Sequence, residues 1–73
     1  MATERVKAEI TGKVWKIVTR PGQALQEEEA ILIMESMKME IPVVAPVKGT
    51  LKELLVKEGD EVSEGQELAV IES

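Results

Sequence analysis

One lysine in this chain stands apart from the others by its neighbours. Lys38 lies between Met37 and Met39, directly after Glu35-Ser36, in the middle of the run Ala30-Ile31-Leu32-Ile33-Met34-Glu35-Ser36-Met37-Lys38-Met39-Glu40-Ile41-Pro42-Val43. For the other six of the seven lysines (Lys7, Lys13, Lys16, Lys48, Lys52 and Lys57) a solvated charge on a strand or turn is the default reading. A primary amine that attacks an activated carboxyl group forms a stable amide, so a lysine held at a fixed point can tether a group that the protein need not enclose. The chain contains neither His nor Cys. That removes the usual acid/base side chain, thiolate zinc sites and disulfide bracing. The chemistry open to these residues is attachment, and no residue is nominated as catalytic or as a metal ligand.

The lysine has to be positioned by the elements around it. Met37, Met39, Ile41 and Val43 alternate with Lys38, Glu40 and Pro42, the period of a strand with one covered face, and upstream Ile31 and Ile33 keep the same odd-numbered phase. Glu35 breaks that phase next to Ser36, which predicts a reversal of the chain at positions 36 to 39 and puts Lys38 on a hairpin tip. Yet none of these residues is Gly, Asn or Asp, the residues that tight hairpin turns favour because they tolerate positive φ. Met, Glu and Lys are good helix formers, and a short helix is the competing reading of the stretch.

Self-similarity along the chain favours the hairpin. Positions 8 to 36 align without a gap on positions 45 to 73, an offset of 45 − 8 = 37, with Gly12 on Gly49, Gly22 on Gly59, Glu27 on Glu64 and Glu35-Ser36 on Glu72-Ser73. Apolar positions repeat as well: Ile10 with Val47, Val14 with Leu51, Ile17 and Val18 with Leu54 and Leu55, Leu25 with Val62, and Ile31, Ile33 and Met34 with Leu68, Val70 and Ile71. Each pair is expected at an equivalent core site. Each copy reads as strand, glycine turn, strand, tight turn, short strand and strand, beginning with Val6 to Ile10. Arg20-Pro21-Gly22-Gln23 forms a turn, Gln26 to Glu29 a solvated loop, and all five glycines are expected in turns. A unit too small to bury its own apolar face must pack on its twin. The expected fold is therefore all-β, a flattened β-barrel of two four-stranded antiparallel sheets with quasi-two-fold symmetry and Lys38 on the central hairpin tip. The chain ends, Met1 and Ser73, are expected at the opposite pole.

At 73 residues the chain is expected to form one domain, 1–73, of a size that buries about 60% of the surface of its unfolded chain. A deep catalytic cleft is not expected. The net charge of −5 speaks against nucleic acid, and no apolar run reaches membrane-spanning length. The start, Met1-Ala2-Thr3-Glu4-Arg5, lacks the apolar segment of a secretory signal. A cytoplasmic location, no membrane association and a monomeric domain are expected.

Glu35-Ser36-Met37-Lys38-Met39 resembles the attachment motif of biotinyl domains, the carrier domains of biotin-dependent carboxylases, and the resemblance covers nearly the whole chain. It implies a carrier that is not itself an enzyme. Biotin would be joined to Lys38 by a biotin protein ligase, and the partners would be a biotin carboxylase and a carboxyltransferase. Met37 and Met39 would serve carboxylation and partner recognition, and Glu35 and Ser36 complete the cofactor-binding motif. An arm of about eleven bonds advancing roughly 1.2 Å each reaches about 13 Å, far enough to enter another protein's active site. The two halves align without an inserted thumb, so the resemblance is to the thumbless kind, free-standing or part of a larger carboxylase. Lipoyl domains of 2-oxoacid dehydrogenases and the glycine cleavage system look like the same duplicated fold. Lipoate on Lys38 is the alternative, although their motif usually has Asp before the lysine and a small residue after it. A structural β domain binding by edge pairing would leave the motif unexplained.

Overall fold

Alternating β-branched and polar residues, punctuated by Pro-Gly and Glu-Gly turns, give strands throughout, and among the described residues there is no helix. The computed structural model describes residues 2–73. In chain order the strands are β1 (Thr3–Lys7), β2 (Gly12–Ile17), β3 (Ala24–Leu25), β4 (Ala30–Ser36), β5 (Met39–Val44), β6 (Gly49–Leu54), β7 (Glu61–Val62) and β8 (Glu67–Glu72). They form two four-stranded sheets in the orders β1-β8-β6-β3 and β5-β4-β2-β7, and every pairing is antiparallel. The sheets pack face to face in a body of 36 × 19 × 18 Å. The outer strands β1 and β5 flank a groove bordered by Val6, Met34, Ile41 and Val43.

The offset of 37 found in the sequence governs the backbone pairing as well. Val14 faces Met34 as Leu51 faces Ile71, and the register slips between Val14 and Lys16 as it does between Leu51 and Glu53. Gly22 N donates to Leu51 O and Gly59 N to Val14 O, both at 2.7 Å. The repeat also runs further than residues 8–36. Glu4 faces Ile71 as Ile41 faces Met34, so β1 is the twin of β5. Because each unit has its fourth strand in the other unit's sequence neighbourhood, neither sheet is built from one copy alone.

The core is aliphatic and paired. Val14 and Leu51, Met34 and Ile71, Ile31 and Leu68, Leu25 and Val62, and Ala8 and Ala45 are all buried. At roughly 1.5 to 3 kcal/mol for each large side chain removed from water, these pairs carry the fold. Buried polar side chains are absent among the described residues, so the core has no polar network to satisfy.

Four sequence expectations need correction. Val18 and Leu55 occupy equivalent sites but face solvent, 44% and 41% exposed. Bulges at Trp15 and at Lys52 shift the alternation, so Ile17 and Leu54 turn toward the core and the next residue turns away. The first strand is Thr3–Lys7, not Val6 to Ile10, because β1 pairs with β8 up to Glu72. The segment Gln26 to Glu29 is a tight turn: Glu29 N donates to Gln26 O, and Glu28 adopts φ 71° where its twin Gly65 has 87°. Finally, only Gly22, Gly59 and Gly65 are turn glycines with positive φ; Gly12 and Gly49 lie within strands. A Cβ on Gly12 would sit 2.6 Å from Glu35 O and one on Gly49 2.7 Å from Glu72 O, so what these positions need is close backbone approach.

Candidate functional site

The β4–β5 ladder ends with the pairs Glu35↔Glu40 and Ser36↔Met39, which leaves Met37 and Lys38 as a two-residue turn. Their φ angles of 53° and 63° are both left-handed, as a tight hairpin between right-twisted strands requires. Asn-Gly would adopt this shape cheaply. Residues with a β-carbon pay about 1 kcal/mol or more each, so the mismatch between turn chemistry and turn shape is real, and it is resolved in favour of the hairpin over the helix. A strained turn without glycine presents three long side chains at once. Met37 is 91% exposed, Met39 62% exposed, and Lys38 is exposed between them. The covered face of β5 extends only to Ile41 and Val43. Among the described residues the ion pairs are Arg5–Glu67 at 3.0 Å and Lys52–Glu72 at 3.9 Å, neither at the tip.

The stem of the tip is anchored on one side. Glu35 is exposed in a cross-strand row with Lys13 of β2 and Glu40 of β5. Ser36 is half-buried, and its Oγ donates to the carbonyl oxygen of Thr11 at 2.9 Å. Next to Thr11, Gly12 brings the backbone of β2 against the end of β4, where a β-carbon would also come within 3.1 Å of Ser36 Cβ. Thr11 Oγ1 in turn accepts a hydrogen bond from Glu64 N at 3.2 Å, joining the tip's support to the turn between β7 and β8. Of the expected residues, Glu35, Ser36, Met37, Lys38 and Met39 therefore all lie on one hairpin end. Thr11 and Gly12 were not anticipated there; the mismatch of Thr11 with Lys48 in the repeat was the available signal.

Ala2 and Ser73 lie at the other pole. β7 and Ser63 border the tip, sharing a shallow open depression with Met37 and Ser36, and β8 starts after this turn and runs away from it to Glu72. There Ala2 N donates to Ser73 O at 3.2 Å and Ser73 N to Ala2 O at 2.9 Å. This pair occupies the ladder position that Met39 and Ser36 hold at the tip. Met1, expected far from Lys38, lies outside the described residues.

An exposed amine on a two-residue turn, beside a shallow open depression, suits a group that is held covalently and works elsewhere. The comparisons with known proteins agree. Residues 2–71 match the biotin/lipoyl attachment family, described as biotin-requiring enzyme, and the chain belongs to that family. It is 43% identical over 63 residues to a biotin/lipoyl attachment protein of Bacillus subtilis, covering 86% of each chain. It is 40% identical over 68 residues to the biotinylated protein TB7.3 homolog of Mycobacterium leprae, covering 93% of this chain and 96% of the other. The crystal structure of Kluyveromyces lactis urea carboxylase superposes with a TM-score of 0.92 at 35% identity, over 97% of this chain and 6% of the carboxylase.

Proposed function

We propose that residues 1–73 are a single biotin carboxyl carrier, with repeat halves 8–36 and 45–73, biotinylated on Lys38 by a biotin protein ligase. The observation that carries this reading is the non-glycine left-handed turn that holds Lys38 out between two exposed methionines. When attached, biotin supplies a ureido nitrogen that carries a carboxyl group from a biotin carboxylase to a carboxyltransferase. The protein's own residues do simpler work. Lys38 Nζ provides the amide nitrogen, the paired strands keep its Cα at a fixed place, and Met37 and Met39 offer apolar, polarisable contact to whatever surface the tip meets. None of these residues needs to move a proton during carboxyl transfer, so the chain is a carrier and not an enzyme. Tethering places the carried group at an effective concentration on the order of millimolar at each partner in reach. The methionines on both sides of Lys38 favour biotin over lipoate, whose attachment motifs usually have Asp and a small residue there.

Peptide mapping after incubation with a biotin protein ligase, ATP and biotin tests the reading. One biotinyl group at Lys38 is expected, with the other six lysines untouched and the net charge moving from −5 to −6 on a native gel. Lipoate accepted from a lipoate ligase as readily as biotin, or modification at another lysine, would overturn it. Replacing Met37 with Asp and Met39 with Ala is expected to move the preference toward lipoylation.

A further inference from the structure

The two halves match in nearly every backbone hydrogen bond, so the places where they do not match are informative. Several side-chain bonds have no twin among the described residues. Thr19 Oγ1 donates to Ile31 O at 2.9 Å, where the twin of Thr19 is Val56, and Glu58 Oε2 accepts from Ile17 N at 2.9 Å, where the twin of Glu58 is Pro21. Another departure is at the tip. Thr11 Oγ1 accepts from Glu64 N, and Thr11 O accepts from Ser36 Oγ. The twin of Thr11 is Lys48, which has no hydroxyl, and the twin of Ser36, Ser73, reaches Ala2 O at 3.5 Å instead.

Thr11 is thus a junction of three segments. Its carbonyl holds the residue immediately before the turn, its hydroxyl is held by the turn between β7 and β8, and Gly12 lets the backbone approach closely enough for both. We infer that Thr11 is a positioning residue for the modification of Lys38, fixing the left-handed Met37-Lys38 turn in the shape that the modifying ligase reads. The inference rests on the carrier reading above. The physical reason is a population argument. A turn of residues with β-carbons in left-handed φ relaxes unless its stem is held, and a ligase that reads only the held form binds with an apparent affinity lowered by the fraction of molecules that have relaxed. The expected signature is therefore a higher KM for the carrier with kcat unchanged.

The test compares Thr11→Val, which keeps the shape and removes the hydroxyl, with Thr11→Ser, which restores it. Thr19→Val is the control, since the fold already accepts valine at the twin position, Val56. With purified biotin protein ligase and saturating ATP and biotin, Thr11→Val is expected to raise the KM about fivefold, the factor that one ordinary hydrogen bond supplies. Thr11→Ser and Thr19→Val should stay near the unaltered protein. An unchanged KM in Thr11→Val, an equal rise in Thr19→Val, or no rescue by serine would each overturn the inference. A second measurement needs no ligase. Amide NMR shifts of Met37 and Lys38 should move in Thr11→Val and not in Thr19→Val, and unmoved tip amides defeat the positioning role even if Lys38 is biotinylated. Failure of the unaltered protein to take biotin, with the tip amides moving as stated, would refute the carrier reading and leave the positioning role standing.

Discussion

The two poles of this molecule are the same piece of ladder finished in two ways. At one, Ser36 and Met39 close the β4–β5 pair and two residues with positive φ cross between them. At the other, Ser73 and Ala2 pair at the end of the β8–β1 ladder with no turn joining them. The strands beneath both poles have the same register and the same bulges, so the two sheets do not need the strained turn. What Met37 and Lys38 cost in backbone energy cannot be recovered in the core, because both side chains are exposed, as is that of Met39. The difference separates residues that make the fold from residues that use it.

That separation can be tested by substituting across it. The largest effect belongs to the shared core: Leu51→Ala, at a fully buried site, is expected to lower the unfolding free energy in urea by about 2 to 5 kcal/mol. Leu51→Val, which copies its twin Val14, should cost well under that; equal losses would mean that the two halves are not interchangeable inside. Next come the close approaches. Gly12→Ala and Gly49→Ala each place a β-carbon against a carbonyl oxygen, and each should cost about 1 to 3 kcal/mol, alike within the error of thermal melts. Biotinylation should suffer only in the first. A smaller effect of opposite sign is expected at Glu28, which takes a left-handed φ where the twin is Gly65. Glu28→Gly should raise the denaturation midpoint, by at most about 1 kcal/mol in stability, since relief of strain is partly offset by the entropy of glycine in the unfolded chain. A lower midpoint would show that Glu28 gains more from its side chain than its backbone loses. The smallest effect is Lys38→Ala, a few tenths of a kcal/mol in calorimetry with complete loss of biotinylation. A loss above about 2 kcal/mol would place Lys38 among the structural residues.

The repeat was legible because burial acts on side chains that both copies retain, and an unbroken offset keeps them aligned. The tip was legible from Glu35 and Ser36, which interrupt the apolar phase where the chain reverses. Val18 and Leu55 read as core positions in the sequence because a bulge shifts alternation by one residue and leaves no mark in composition; Trp15 and Lys52, which occupy the bulges, are chemically unlike. Gly12 and Gly49 read as turns in the sequence because glycine serves both positive φ and close approach, and only the carbonyl opposite tells the two apart. The Thr11 junction joins residues 25 and 53 positions apart in the chain. No local pattern in the sequence carries such a contact.

The pairing of Ala2 with Ser73 has a consequence for any longer polypeptide that holds such a unit. Two adjacent antiparallel strands leave the body side by side, so the incoming and outgoing segments would need no more separation than the rungs of one ladder. A host loop could accept the whole unit as a graft at the position of an ordinary hairpin, with no rearrangement of its own framework. The graft would then stand on a two-stranded stalk at one end and extend its 36 Å length outward. Flexing of that stalk would sweep the opposite end through an arc much wider than the reach of a side chain, and the radius of the sweep could be set by the host through the length of the two connecting segments.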